Sequence, residues 1–174
     1  MIGAGLIVLG VAAFVYMPNP SASADPPESG SAIPLEVSYA APELSLTDLK
    51  GSPVALADYQ GTVVLVNNWA TWCPPCKAEM PTLQAYYEEH KGQGFTIIAI
   101  EAGDPLAEVV SFVAEYGLTF PVWPDAAMKS IGAFRNPGLP SSYVIDRSGT
   151  VRLAWAGAVS RDILEKYVTP LLKE

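Results

Sequence analysis

Two apolar runs and two stretches of helical periodicity occupy the middle of the chain. Val63–Trp69 and residues 95–100 are mostly apolar, a pattern typical of strands buried on both faces of a sheet. Residues 73–90, between them, place apolar side chains at the spacing of one helical face, and residues 105–116 repeat that spacing. The pattern therefore predicts a strand, a helix, a second strand and a second helix.

A hairpin and a final helix are predicted for the C-terminal part. Residues 141–146 and 151–155 are short extended runs joined by a turn that contains Gly149, which favours an antiparallel hairpin. Ser160 suits the N-cap of a last helix, and Pro170 is expected to distort the final turn of that helix.

This order of elements predicts an α/β fold. A mixed central sheet with helices on both faces is expected, because parallel neighbours need crossover helices. The sequence of 174 residues shows no internal repeat and no second domain, and we assign residues 35–174 to one domain. Since 50% of the residues are hydrophobic, a sizeable core can form without disulfide staples.

The N-terminus has a different character. Residues 2–17 are apolar and uncharged, close in length to a short membrane span or a signal-peptide core, with a buried core helix as the alternative. Residues 18–34 are rich in Ser, Ala, Pro and Gly, which is typical of a flexible tether. We therefore expect residues 1–17 to be a membrane anchor or a signal segment. Cleavage after Ala24 would give a secreted protein, and both outcomes stay open.

Basic residues are scarce and come late in the chain. The first is Lys50, so the positive-inside rule gives no reason to keep the tether in the cytoplasm, and we expect an extracytoplasmic domain. Ten Lys and Arg against 18 Asp and Glu give a formal net charge of -8. Without a basic stripe, nucleic acid is not an expected partner.

The chain has two cysteines, Cys73 and Cys76. As a structural staple the pair would be weak, since closing so small a loop stabilises a fold by about 2 kcal/mol at most. A structural zinc site needs four ligands, and the only histidine, His90, lies far along the sequence. No metal and no cofactor is therefore expected.

The position of the pair favours thiol-disulfide exchange. A strand ending near Trp69 and a helix beginning near Cys73 put the first sulfur at a helix N-terminus, where amides and the macrodipole favour a thiolate. Cys73 is the predicted nucleophile, and Cys76, almost one turn further, is the predicted resolving thiol. Pro74 and Pro75 contribute neither amide hydrogens nor a cation, which predicts a reducing pair.

The segment VNNWATWCPPCKAEMP, from Val66 to Pro81, resembles the active-site segment of the TlpA/ResA/CcmG type of membrane-tethered thioredoxin-like proteins. The resemblance extends from about Pro42 to the C-terminus, and the apolar N-terminus fits it. It implies a thioredoxin-like fold, an extracytoplasmic site and exchange with disulfide-containing client proteins. Apocytochrome c is an implied client, and a membrane thiol-transfer protein is the implied electron donor.

The resemblance also implies a client-binding surface. Trp72 resembles the aromatic residue beside the reactive sulfur, although it could instead fill core space, and Pro74 and Pro75 adjoin it. The segment GLPSSYVID resembles the one that carries the cis-proline of this fold, so Pro140 is expected to be cis and to face the cysteines. A cis bend would turn the Leu139 backbone toward an extended client segment, whereas a plain turn is the alternative.

Glu79 aligns with an acidic residue that family members place near the disulfide. We expect it to handle protons or tune a thiol pKa, the alternative being a solvated carboxylate on the helix surface. Asn67 stands where thioredoxin has a buried Asp, so a proton acceptor for Cys76 must be Glu79 or water. Asn68 points to the opposite face of the strand and, if buried, must find hydrogen bonds.

Other functions stay open at this point. The same pair could act in reverse, as an oxidant that inserts disulfides. Its thiolates could also bind copper(I) in a carrier module, although no third cysteine, nearby histidine or methionine cluster supports that. An inert pair in an interaction protein is the simplest alternative.

Overall fold

Strands and helices alternate along the chain as the hydrophobic pattern predicts. The computed structural model describes residues 32–174. The strands of this part are β1 (Leu35–Ala40), β2 (Ser45–Thr47), β3 (Pro53–Ala55), β4 (Val63–Trp69), β5 (Phe95–Glu101), β6 (Val122–Pro124), β7 (Ser141–Ile145) and β8 (Thr150–Ala156). The helices are α1 (Pro74–His90), α2 (Leu106–Tyr116), α3 (Lys129–Phe134) and α4 (Arg161–Tyr167), with 3-10 turns at Leu56–Tyr59 and Thr169–Lys173.

The central sheet is mixed and has the strand order β1-β8-β7-β4-β5-β6. β4 pairs in parallel with β5 and antiparallel with β7, and β8 lies antiparallel between β7 and β1. The predicted mixed sheet and hairpin are confirmed. Asn68, near the end of β4, lies opposite Ser141, the first residue of β7. The end of β4 and the beginning of β7 therefore meet at one end of the sheet.

Two apolar cores flank the sheet, because successive side chains of a strand point to opposite faces. Val63 and Leu65 of β4 belong to a core built with residues of α1, α2 and α4. Val64 and Val66 belong to the other core, which includes Phe134 of α3 and residues of the small β2–β3 hairpin. Helices thus cover both faces, as predicted.

Several short elements were not predicted. β1 is an edge strand whose residues are mostly exposed, so it lacks the apolar signature of β4 and β5. β2, β3 and β6 have three residues each, too few to show a period. Ser160 is the N-cap of α4, and the chain continues beyond this helix as the 3-10 turn that contains Pro170, as expected.

The predicted anchor, residues 1–17, and most of the predicted tether lie outside the described residues. Among residues 32–174, none of the helices has the length and apolar character needed to cross a bilayer.

Candidate active site

Cys73 and Cys76 meet at the point where the central strand gives way to α1. They are joined in a disulfide, and Cys73 is the N-cap of the helix. Cys73 is 3% exposed and Cys76 is fully buried. The sequence prediction that the first cysteine lies at a helix N-terminus is confirmed, and Cys73 is the more exposed residue of the pair.

Within residues 32–174, few hydrogen-bond donors surround the Cys73 sulfur. Pro74 and Pro75 fill the first two helical positions, where a missing N–H costs the helix nothing. The Cys76 amide donates to Cys73 Sγ at 3.4 Å. Because the two prolines carry no amide hydrogen, Cys76 supplies the first N–H of the helix that can stabilise a thiolate here.

Glu79 is buried one turn further along α1, only 2% exposed. Its Oε1 accepts a hydrogen bond from Asn67 Nδ2 at 2.8 Å, and its Oε2 accepts one from the Val159 amide at 3.1 Å. Burial raises the pKa of Glu79 to about 7, although both hydrogen bonds favour the carboxylate and oppose the shift. The alternative of a solvated carboxylate is therefore wrong, and Glu79 can exchange a proton near neutral pH.

The two asparagines of β4 are both fully buried. Asn67 Nδ2 donates to Ser142 Oγ at 3.0 Å as well as to Glu79, and Asn68 Nδ2 lies 3.5 Å from Ser141 Oγ. The Oδ1 atoms accept no hydrogen bond from the described residues. Asn67 thus turns its donor side toward Glu79, where thioredoxin would present an acidic group.

The residues expected to contact clients lie at the end of the sheet that carries the disulfide. Trp72 is 65% exposed, which excludes the core-filling alternative, and Pro74 and Pro75 are exposed too. The Leu139–Pro140 peptide bond is cis, as predicted. Pro140 directly precedes β7 and therefore lies at the end of the sheet where β4 leads into the active-site loop.

An acidic cluster beside this loop was missed by the sequence reasoning. Asp104 Oδ2 accepts hydrogen bonds from the amide and the hydroxyl of Thr71, at 2.9 and 2.7 Å. The Asp104 amide in turn donates to both carboxyl oxygens of Glu101, at 3.1 and 3.3 Å. Glu101 is fully buried at the end of β5. A charged residue closing an otherwise apolar strand was the available signal.

His90 lies at the far end of α1, where Glu89, His90 and Glu165 bring possible metal-ligating atoms within 4.8 Å of one another. The Arg161 guanidinium already pairs with both carboxylates. We therefore interpret this cluster as an ion-pair network of the described surface.

The two cysteines form a disulfide at the start of a helix that follows a central strand, and a cis-proline lies at the same end of the sheet. This arrangement defines a thioredoxin-like thiol-disulfide oxidoreductase. Enzymes of this class act on disulfide-containing client proteins.

Comparison with known proteins gives the same class. Residues 37–154 match the AhpC/TSA family. The thiol-disulfide oxidoreductase ResA of Geobacillus kaustophilus (strain HTA426) is 37% identical over 132 residues, 76% of each chain. Among solved structures, a thiol:disulfide interchange protein of the thioredoxin family from Chlorobium tepidum TLS superposes with a TM-score of 0.71 at 30% identity, covering 78% of this chain and 97% of that one. A secreted Mycobacterium tuberculosis disulfide oxidoreductase homologous to Escherichia coli DsbE gives 0.67 at 27% identity, covering 73% and 95%.

The chain therefore belongs to the AhpC/TSA family, among its thiol-disulfide oxidoreductases of the ResA and DsbE type.

Proposed function

We propose that this protein is a membrane-tethered reductase that opens disulfides of extracytoplasmic client proteins through Cys73 and Cys76. The observation that carries the proposal is the position of Cys73 Sγ, at the N-terminus of α1 and within reach of the Cys76 amide. The exposed Trp72 directly precedes it and offers an apolar surface to a client.

In the proposed reaction the reduced enzyme begins the cycle. The Cys73 thiolate attacks one sulfur of the client disulfide, forming a mixed disulfide, and the other client sulfur leaves as a thiolate that takes up a proton. The Cys76 thiolate then attacks Cys73 Sγ. This step forms the Cys73–Cys76 disulfide, breaks the bond between Cys73 and the client, and releases the second client sulfur as a thiolate that takes up a proton, so two electrons pass to the client. A membrane thiol-transfer protein is the proposed donor that reduces the pair again.

Glu79 is proposed to accept the proton of Cys76 before the resolving step. The acid lies on the same helix, one turn beyond Cys76, and its pKa of about 7 lets it alternate between both forms at neutral pH. Asn67 and the Val159 amide hold its two oxygens, so the carboxyl group is fixed in orientation. Cys76 needs a proton acceptor inside the protein because it is fully buried and solvent does not reach its thiol.

The environment of Cys73 supports the reducing direction over the oxidising one. A strongly oxidising pair owes its high potential to a well-stabilised thiolate in its reduced form. Here the prolines remove two helical amides, and the nearby Glu79 adds no positive charge. A less stabilised thiolate makes the dithiol form less favoured and the pair a better electron donor.

Client recognition is proposed to involve Trp72, Pro74, Pro75, Leu139 and Pro140. A cis bond before β7 can present the Leu139 backbone to an extended client segment as an added strand. Apocytochrome c is the proposed client, and residues 1–17 the proposed membrane anchor. The extracytoplasmic location is supported by the secreted relative from Mycobacterium tuberculosis.

Trapping tests the roles of the cysteines. With Cys76→Ser, the mixed disulfide on Cys73 cannot resolve, so client proteins should accumulate as adducts that reducing agent releases. Cys73→Ser is the matched control and should trap nothing. Equal adducts on both variants would contradict the assignment of Cys73 as the nucleophile.

The anchor is tested separately by fractionation of cells that carry the full chain. Replacing Leu9 by Arg puts a charge in the centre of the apolar segment, at a cost of about 3 kcal/mol for insertion. We expect the protein to move from the membrane fraction to the soluble fraction. An unchanged distribution would argue against residues 1–17 as the anchor.

A further inference from the structure

The Glu101 cluster lies outside the reaction steps described above, yet it is tied to the active-site loop. Glu101 closes β5, where it lies in register with Trp69, the last residue of β4. The Ala102 amide donates to the Trp69 carbonyl at 2.9 Å, which fastens the chain after β5 to the chain after β4. The loop that leads to Cys73 begins at this point.

Asp104 accepts two hydrogen bonds from the active-site loop, which runs from Trp69 to Cys73. Both come from Thr71, one from its amide and one from its hydroxyl, and both end on the same carboxylate oxygen. Thr71 lies two residues before Cys73, with the exposed Trp72 between them. Movement of Asp104 would therefore displace the nucleophile and the aromatic residue beside it.

We propose that Glu101 is a positioning residue for the active-site loop: its carboxylic acid donates a hydrogen bond to Asp104 and so holds Asp104 on Thr71. Glu101 is fully buried, and its two oxygens also receive the Asp104 amide. The inference deepens the proposed function, since it concerns the geometry of Cys73.

The charges around Glu101 explain why its proton matters. Two carboxylates act on Glu101: Asp104 from the following loop and Asp125 from the residue after β6. Lys129 of α3 contacts Asp125 through its backbone amide, which donates a hydrogen bond to Asp125 Oδ1. Burial, then the side-chain hydrogen bond and charge of Asp104, and then the charge of Asp125 raise the pKa of Glu101 to about 8, although the hydrogen bond from the Asp104 amide favours the carboxylate and opposes the shift. Burial would also raise the pKa of Asp104, but hydrogen bonds from Thr71, Glu101 and Trp72 outweigh it and hold that pKa below its usual value.

At neutral pH the pair therefore carries one shared proton and one negative charge. Above about pH 8 Glu101 loses the proton and two carboxylates face each other, which repels Asp104 from its place on Thr71. Glutamine in place of Glu101 donates a hydrogen bond at every pH and reproduces the protonated form.

The test compares Glu101→Gln with the wild type in insulin-disulfide reduction across pH, with the exposed Glu115→Gln as control. Ionisation of the Cys73 thiol affects both proteins alike, so the ratio of their kcat/KM values isolates Glu101. We expect the kcat/KM of Glu101→Gln divided by that of the wild type to be near 1 at neutral pH. The ratio should rise toward about tenfold one pH unit above the pKa of Glu101, where only about a tenth of Glu101 keeps its proton. Glu101→Ala has no side-chain donor, so its kcat/KM should be lower than that of Glu101→Gln at all pH values.

A second readout does not depend on turnover. The fluorescence of Trp72, obtained by difference against Trp72→Phe, should titrate near the pKa of Glu101 in the wild type and lose that transition in Glu101→Gln. A ratio that stays at 1 and an unchanged Trp72 titration would overturn the positioning role. If insulin is not reduced at any pH the proposed function fails, while the fluorescence still decides whether Glu101 holds the loop.

Discussion

Replacing Glu79 by Gln should remove a large pH dependence of stability. In the folded protein the pKa of this carboxyl is raised from its ordinary value of 4.5 to about 7, chiefly by burial. A raised pKa means that the protonated form favours folding. The stabilisation is complete below the ordinary pKa and is lost as the pH rises through about 7. The difference between the two values corresponds to about 3 kcal/mol.

Glutamine is neutral at every pH and has the shape of the protonated acid, so Glu79→Gln gives a reference that does not titrate. From pH 4, below the ordinary pKa of Glu79, to pH 8, the stability of the variant relative to the wild type should rise by about 3 kcal/mol, because only the wild type then carries a buried carboxylate. Urea unfolding of the disulfide-bonded proteins at a series of pH values gives both free energies of unfolding. Keeping the disulfide intact removes thiol titration from the comparison.

The exposed Glu108→Gln serves as the matched control and should change little. Glu101 also titrates in this range, but it is present in both proteins and cancels in their difference. A difference between wild type and Glu79→Gln that stays constant within about 0.5 kcal/mol from acid to alkaline pH would refute the reasoning about Glu79.

Three further predictions concern neighbouring residues. Trp72→Ala should lower kcat/KM for client reduction by about fivefold or more while shifting the free energy of unfolding by less than about 0.5 kcal/mol, because the side chain is exposed; equal loss of stability would argue for a structural role. Pro75→His should raise the reduction potential by about 30 mV or more by lowering the pKa of Cys73, measured in glutathione buffers; an unchanged potential would contradict the role given to the prolines. Asn67→Ala removes a donor that lowers the pKa of Glu79 in the folded protein, so the pH at which the decline of urea stability ends should move upward, while the pH at which it begins stays the same; no movement of the upper limit would show that this hydrogen bond is unimportant.

The main elements could be predicted because their signal is local. β4 and β5 are mostly apolar runs, and α1 and α2 carry a helical period, so packing and periodicity agree there. The position of Cys73 at a helix N-terminus follows from the order of these two elements. The cis state of Pro140 came from the family resemblance, since nothing in the residues around a proline distinguishes cis from trans strongly enough.

The environment of the site could not be predicted in the same way. Whether Glu79 is buried depends on Asn67 and on the Val159 amide, which lie 12 and 80 positions away in the chain. The link from Glu101 through Asp104 to Thr71 likewise joins segments 33 positions apart. Hydrogen bonds of this kind follow from tertiary packing, which no local pattern encodes.

The central claim is that Cys73 and Cys76 donate electrons to client disulfides, and the reduction potential of the pair tests it most directly. Equilibrating the full chain with glutathione or dithiothreitol buffers and counting free thiols gives this value. We predict a potential closer to the about -270 mV of thioredoxin than to the about -120 mV of a strong oxidant. A value near the oxidising end would contradict the account and assign the protein to disulfide formation.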